Sequence, residues 1–239
     1  MTYPRAILFD LDDTILDCGD VNAAWLTVVG EFCDVIGGLE PATVSLRIRR
    51  EAEAFWSDPH RHRIHRQDLR SSRRGIVART FEAIAREGGP ALSMVTAHAI
   101  ADRLTMYREE QICLFPGAIE AIEALRGEGV RLALVTNGAS EPQRAKIEQF
   151  DLARHFDHVQ VEGEMGFGKP EERAYRHALQ ALDADPEQAW MVGDNLEWEV
   201  AAPQRIGMSG IWYDHMKAGL PEGSPHRPDR IILSLTELL

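Results

Sequence analysis

The sequence has no long hydrophobic run, no excess of basic residues and few cysteines. Its apolar stretches fall well short of the roughly 18–20 residues that span a bilayer, so we expect no membrane partner. A formal net charge of −12 argues against a nucleic-acid partner, because nucleic-acid binding depends on neutralising phosphates. The three cysteines lack the spacing of a metal site and fit a reducing cytoplasm. The N-terminus becomes strand-like at once and carries an aspartate, which predicts no secretory signal.

The composition is that of a soluble globular protein whose charge is divided unevenly. Hydrophobic residues make up 44% and charged residues 27% of the 239 positions, which excludes a disordered chain and a disulfide scaffold. From Asp20 to Cys113 there are 13 basic and 13 acidic residues, so the rest of the chain carries the whole net charge. In the same stretch apolar residues recur every three or four positions, for example at Ala24 and Val28, which predicts helices.

Outside that stretch, helical and strand-like segments alternate. A strand at 6–9 is followed, after the helical stretch, by predicted helices at about 118–127, 143–150, 171–182 and 197–206, and by predicted strands at 130–135, 158–161, 189–192, 210–213 and 231–233. Such alternation predicts an α/β, Rossmann-like core with a mainly parallel sheet. We expect residues 1–17 and 114–239 to form this core and residues 18–113 to form an inserted helical domain.

Polar residues gather where the predicted strands end. Ligands of open parallel sheets bind outside the carboxyl ends of the strands. Three such ends, and a Gly-Lys-Pro segment between the last two, supply the candidate site residues: Asp10, Asp12, Thr136, Asn137, Gly138, Lys169, Asp194 and Asn195.

The acidic residues of this set predict a cation. Asp10 and Asp12 are two positions apart in extended chain, so their side chains point to the same side. Close carboxylates repel each other unless a cation or a proton relieves the repulsion. With Asp194 from another strand end, the cluster suits Mg²⁺, which takes carboxylates, waters and phosphate oxygens. Lys169 adds a compact positive charge, in a chain that has only three lysines against 23 arginines.

The segments FDLDDT, VTNG, KP and VGDN, in this order, resemble the motifs of the haloacid dehalogenase (HAD) superfamily, and the insertion resembles the helical cap that follows the first strand in that family. The resemblance implies a two-step phosphoryl transfer. Asp10 would be the nucleophile, and Asp12 would protonate the leaving alcohol and then activate water. Asp10, the Asp12 carbonyl and Asp194 would hold Mg²⁺.

The same resemblance implies roles for the remaining candidates. Thr136 and Lys169 would bind phosphate oxygens, assisted by the backbone near Asn137 and Gly138. The family usually has aspartate at the later acidic position of the last motif. In this sequence, that position is occupied by Glu197 or Glu199. The register favours Glu199, which would hold Lys169 or a metal-bound water, with Asn195 as a further supporting residue.

The sequence therefore predicts a cytoplasmic, Mg²⁺-dependent hydrolase of a small phosphorylated metabolite. One alternative is a 2-haloacid dehalogenase, which shares the nucleophile but, in this family, lacks an aspartate at the position of Asp12. A second alternative is a non-catalytic HAD-fold binding protein, although such a protein is expected to have lost part of the motif set. The basic segment from Arg47 to Arg74 is either substrate-facing in part or a solvated surface with pairs such as Arg47 and Glu51.

Overall fold

The short apolar runs that follow the helices form a parallel sheet. The computed structural model describes residues 3–239 of the chain. Its strands are β1 (Ala6–Phe9), β2 (Leu16–Asp17), β3 (Cys113–Leu114), β4 (Arg131–Thr136), β5 (His158–Val161), β6 (Ala189–Gly193), β7 (Ser209–Tyr213) and β8 (Arg230–Ile232). The described residues form one six-stranded sheet in the order β5-β4-β1-β6-β7-β8, with every neighbouring pair parallel, and a small antiparallel pair of β2 and β3. This confirms the predicted α/β, Rossmann-like class.

The inserted segment is helical. Its helices are α1 (Val21–Glu31), α2 (Pro41–Trp56), α3 (Pro59–His65), α4 (Leu69–Arg86) and α5 (Met94–Gln111). The chain divides into this unit, Cys18–Ile112, and a second unit that holds the residues up to Asp17 together with Cys113–Leu239. Large apolar side chains from four of these helices, such as Trp25, Ile48, Phe81 and Ile100, form the core of the helical unit.

Arginines of the helical unit pair between helices. The predicted pair of Arg47 with Glu51 is wrong, because Arg47 contacts Glu87 and Glu51 accepts a hydrogen bond of 2.6 Å from Arg79. Helix packing brings acidic partners closer to these guanidinium groups than their own i,i+4 neighbours. Within the basic segment, Arg47 pairs with Glu87, and Arg70 and Arg74 both pair with Asp102 of α5, so these arginines join helices at the surface.

The helices of the sheet unit are α6 (Ala118–Gly127), α7 (Ser140–Gln149), α8 (Glu162–Met165), α9 (Glu172–Ala181) and α10 (Ala202–Gln204), with 3₁₀ turns at Leu152–His155, Pro186–Gln188 and Leu235–Leu238. None of the helices in the described part of the chain has the length and hydrophobicity needed to cross a membrane.

The helix predicted over 197–206 is replaced by a π-helical turn, Leu196–Ala201, that runs into the short α10. Pro203 has no N–H and cannot complete an ordinary helical bond to the Glu199 carbonyl. Gly210 of β7 lies directly against this turn: a Cβ at Gly210 would be 2.6 Å from Val200 Cα and 3.0 Å from the Val200 carbonyl oxygen. The turn is thus packed backbone to backbone against the sheet.

Gly210→Ala should therefore lower the free energy of unfolding by about 1–3 kcal/mol, because the new methyl group meets backbone that cannot rotate away. Gly127→Ala is the matched control, since no heavy atom lies within 4 Å of the added Cβ, and it should be neutral or stabilise by up to about 1 kcal/mol. Urea unfolding of the two variants checks this. Equal effects of the two substitutions would contradict the proposed close packing.

Candidate active site

The carboxyl ends of three adjacent strands place the predicted motifs together. β1 lies between β4 and β6, so Asp10, Thr136 and Asp194 leave the sheet at neighbouring positions. The backbone N–H of Asp10 continues the ladder by donating to the Val192 carbonyl at 3.0 Å. This bond holds the Asp10 backbone against the end of β6.

A buried ion-pair network forms the centre of the site. The Lys169 ammonium lies 2.7 Å from Asp10 Oδ1 and 2.8 Å from Glu199 Oε1. The side chains of Lys169 and Glu199 are 1% and 0% exposed. Asp10 Oδ1 also accepts a hydrogen bond of 2.7 Å from the backbone N–H of Leu11. Both contacts fix the orientation of the Asp10 carboxylate.

Asn137 holds the backbone that carries Lys169. Its side-chain oxygen accepts from the Lys169 N–H at 2.8 Å, and its side-chain nitrogen donates to the Lys169 carbonyl at 2.8 Å. The backbone N–H of Gly138 donates to Glu162 Oε2 at 2.9 Å. These contacts engage the Asn137 side chain and the Gly138 N–H with protein partners. The predicted role of the backbone near these two residues, assistance in binding phosphate oxygens, stays a prediction.

The π-helical turn presents Glu199 to Lys169. Asn195 begins the turn, its side chain accepting from the backbone N–H groups of Glu197 and Trp198, and its own N–H donates to Glu199 Oε2 at 2.8 Å. Glu197 instead pairs with Arg205 at 2.9 Å near the surface. Of the two glutamates considered for the later acidic position, Glu199 is therefore the one that contacts Lys169.

Gly193 allows the side chains of Glu199 and Asp10 to lie close together at the end of β6. A Cβ at this position would lie 2.2 Å from Glu199 Cγ and 3.1 Å from Asp10 Cβ. Any larger residue would separate the two acids from Lys169 or distort the end of β6. The glycine is thus a requirement of the packing between the strand end and the π-helical turn.

Three acidic side chains are crowded together. Carboxylate oxygens of Asp10, Asp194 and Glu199 all lie within 4.8 Å of one another. Burial, with the nearby Glu199 and Asp10 charges, raises the pKa of Asp194 to about 9. Burial also raises the pKa of Glu199 to about 7 and that of Asp10, with Lys169 opposing both shifts. Although burial opposes a charge on Lys169, Asp10 and Glu199 raise its pKa.

This donor set fits a divalent cation. The ammonium of Lys169 offsets only part of the charge that the three carboxylates carry when ionised. Burial first, and then repulsion between the acids, raises the pKa values of Asp10, Asp194 and Glu199. Carboxylate oxygens are hard ligands of the kind that Mg²⁺ prefers. The arrangement can therefore bind a cation beside Asp10.

The side chain of Asp12 has different neighbours from that of Asp10. The Lys146 ammonium lies 2.7 Å and 2.8 Å from its two carboxylate oxygens, and Gln143 Nε2 donates to Oδ2 at 3.0 Å. The Gln143 amide also donates to the hydroxyl of Thr136 at 2.5 Å. Neither Gln143 nor Lys146 was predicted from the sequence as a site residue. The scarcity of lysine, which pointed to Lys169, was a signal for Lys146 as well.

The buried pair of Lys169 and Glu199 predicts strong energetic coupling. Lys169→Met should lower the free energy of unfolding by about 3–5 kcal/mol, because it leaves buried carboxylates without their counterion. In a Glu199→Gln background, Lys169→Met should lower the free energy of unfolding by at least about 1 kcal/mol less than it does in the wild type. Urea unfolding of the single and double variants measures the coupling. Additive effects would show that the two side chains do not stabilise each other.

Comparison with known proteins points to one family. The family model for haloacid dehalogenase-like hydrolases matches residues 4–207. The chain is 32% identical to a phosphoserine phosphatase of Thermus thermophilus, over 92% of this chain and 93% of that protein. It is 28% identical to the N-acylneuraminate-9-phosphatase of Rattus norvegicus, over 98% of this chain and 92% of that protein.

Solved structures share the fold. The HAD hydrolase YfnB of Bacillus subtilis, bound to magnesium, superposes with a TM-score of 0.69 at 24% identity, covering 99% of this chain and 97% of that chain. The 2-haloacid dehalogenase of Pseudomonas syringae gives a TM-score of 0.61 at 22% identity, covering 98% and 96%. With the family model matching most of its length, the chain belongs to the haloacid dehalogenase-like hydrolases.

Proposed function

We propose that this protein is a cytoplasmic, Mg²⁺-dependent phosphomonoester hydrolase that acts on a small phosphorylated metabolite. The observation that carries the proposal is the Asp10 carboxylate held by Lys169 beside Asp194, with a second carboxylate, Asp12, two residues on. Relatives named as phosphatases of phosphoserine, of N-acylneuraminate 9-phosphate and of glyceraldehyde 3-phosphate support the substrate class.

Asp10 and Asp194, with the main-chain carbonyl of Asp12, would hold the cation. When bound, Mg²⁺ neutralises charge between the anionic phosphoryl group and the anionic nucleophile. Lys169 supplies further positive charge at a fixed position. Glu199 keeps that ammonium in place. Thr136 is the last residue of β4, and its hydroxyl would bind a phosphoryl oxygen.

The first step is attack by Asp10 on phosphorus. Its contacts with Lys169 and Leu11 both fall on Oδ1, so we assign Oδ2 as the attacking oxygen. The bond between phosphorus and the ester oxygen breaks, and its electron pair leaves with that oxygen, which takes a proton from Asp12. The products of this step are the free alcohol and phosphorylated Asp10.

The second step regenerates the carboxylate. Asp12, now ionised, takes a proton from water as the water oxygen attacks phosphorus. The bond between phosphorus and Asp10 breaks, its electrons return to the Asp10 carboxylate, and inorganic phosphate is released. Asp12 ends the cycle with its proton restored. A dehalogenase has no need of this second aspartate, so Asp12 favours the phosphatase over the dehalogenase.

Asp10→Asn should abolish turnover, because an amide oxygen is a poor nucleophile. Phosphate release from O-phosphoserine, glyceraldehyde 3-phosphate and 4-nitrophenyl phosphate should fall by roughly a thousandfold or more, and chelation of Mg²⁺ should stop it in the wild type. Asp185→Asn, at an exposed position, is the matched control and should retain activity. Metal-independent chloride release from 2-chloropropionate, without phosphate release from any ester, would instead establish the dehalogenase.

Asp194→Asn should weaken the stabilisation of the folded protein by Mg²⁺. Magnesium binding stabilises the folded wild type by mass action, so its unfolding temperature should rise with the concentration of Mg²⁺. The variant lacks one charged ligand and should show a much smaller rise. Thermal unfolding measured across a Mg²⁺ titration tests this without any substrate. An equal rise in both proteins would remove Asp194 from the metal site.

A further inference from the structure

We propose that Lys146 and Gln143 are positioning residues that orient Asp12 for proton transfer. The inference rests on the proposed phosphatase function and extends it to side chains outside the motifs that carry the family resemblance. Both residues lie on α7, three positions apart and hence on one face of the helix. Neither contacts Asp10 or Asp194 in the described structure.

Their contacts with Asp12 fix both carboxylate oxygens. Lys146 Nζ lies 2.7 Å from Oδ1 and 2.8 Å from Oδ2, so it faces the fork of the carboxylate, and Gln143 adds a hydrogen bond of 3.0 Å to Oδ2. The side chain of Lys146 is 18% exposed and that of Asp12 is 33% exposed, whereas Gln143 is buried. The Lys146 ammonium is a charged donor in both protonation states of Asp12, and hydrogen bonds from a charged donor are stronger when partly shielded from water.

The position of α7 is itself fixed next to the site. α7 begins at Ser140, directly after the turn that follows β4. A Cβ at Gly163 would lie 2.5 Å from the Ser140 backbone nitrogen, so this segment packs closely on the start of the helix. Gln143 also bonds the hydroxyl of Thr136 at the end of β4. Asp12 is therefore held to the same rigid segment as Thr136.

The orientation of Asp12 affects the rate of both steps, because Asp12 transfers a proton in each. Asp12 gives its proton to the leaving oxygen in the first step and takes one from water in the second. A proton donor displaced by about 1 Å loses a large part of its effect, and such displacements can cost up to about 10²-fold in rate. Without Lys146, the Asp12 side chain loses the partner that contacts both of its oxygens and is no longer held in one orientation.

The test compares two esters of similar size with different leaving groups. The phenol released from 4-nitrophenyl phosphate is acidic and departs without a proton, whereas that from phenyl phosphate depends on an acid. At saturating Mg²⁺, Lys146→Met should lower kcat/KM for phenyl phosphate by at least about tenfold and leave kcat/KM for 4-nitrophenyl phosphate within about twofold. Lys146→Arg, which restores a forked cation, should recover much of the loss.

Lys217→Met is the matched control. Lys217 is exposed, and its loss should leave the ratio of kcat/KM for the two esters at the wild-type value. Thermal unfolding of each variant verifies folding, with Lys146→Gln as the substitute if Lys146→Met does not fold. In Lys146→Met, an equal fall of kcat/KM for both esters, as expected if Lys146 binds phosphate, would overturn the inference. No change of kcat/KM for either ester would also overturn it. Absence of phosphate release by the wild type from both esters and also from O-phosphoserine and glyceraldehyde 3-phosphate would instead overturn the proposed function.

Discussion

The Lys169 ammonium, buried between Asp10 and Glu199, is the interaction on which the rest of the site depends. A buried charge is tolerated only when it is paired and hydrogen-bonded. Here the pairing requires a π-helical turn that carries Glu199, a glycine at 193 that lets this turn approach, and the Asn137 side chain that fixes the Lys169 backbone. Together with Asp10, these features come from three strand ends, those of β1, β4 and β6. The site is thus a product of the sheet topology and of local packing together.

The fold and the centre of the site were predictable from the sequence. Each strand of the six-stranded sheet lies within one residue of its predicted position. Buried parallel strands are short apolar runs, and their carboxyl ends must meet at one edge, so Asp10, Thr136 and Asp194 could be grouped without a structure. The choice of Glu199 over Glu197 followed from the motif register, and the structure places Glu199 against Lys169.

Features that depend on how elements pack were not predictable. Nothing in the local sequence says which face of α7 meets the loop after β1, so the contacts of Asp12 with Gln143 and Lys146 appear only in three dimensions. The π-helical turn replaced an expected helix because Pro203 and the backbone near Gly210 constrain it. Arg47 contacts Glu87 rather than Glu51 for a similar reason, because helix packing places Glu87 closer to its guanidinium group than the residue four positions along the same helix.

Nucleophilic attack by Asp10 on phosphorus is the central claim, and the stereochemistry of phosphoryl transfer tests it most directly. The measurement uses a phosphoryl group made chiral by oxygen isotopes and follows its transfer from an aryl ester to an acceptor alcohol in the presence of Mg²⁺. Transfer through Asp10 involves two displacements at phosphorus, each with inversion, so the account predicts overall retention of configuration. Inversion, the result of a single direct displacement by the acceptor, would contradict it.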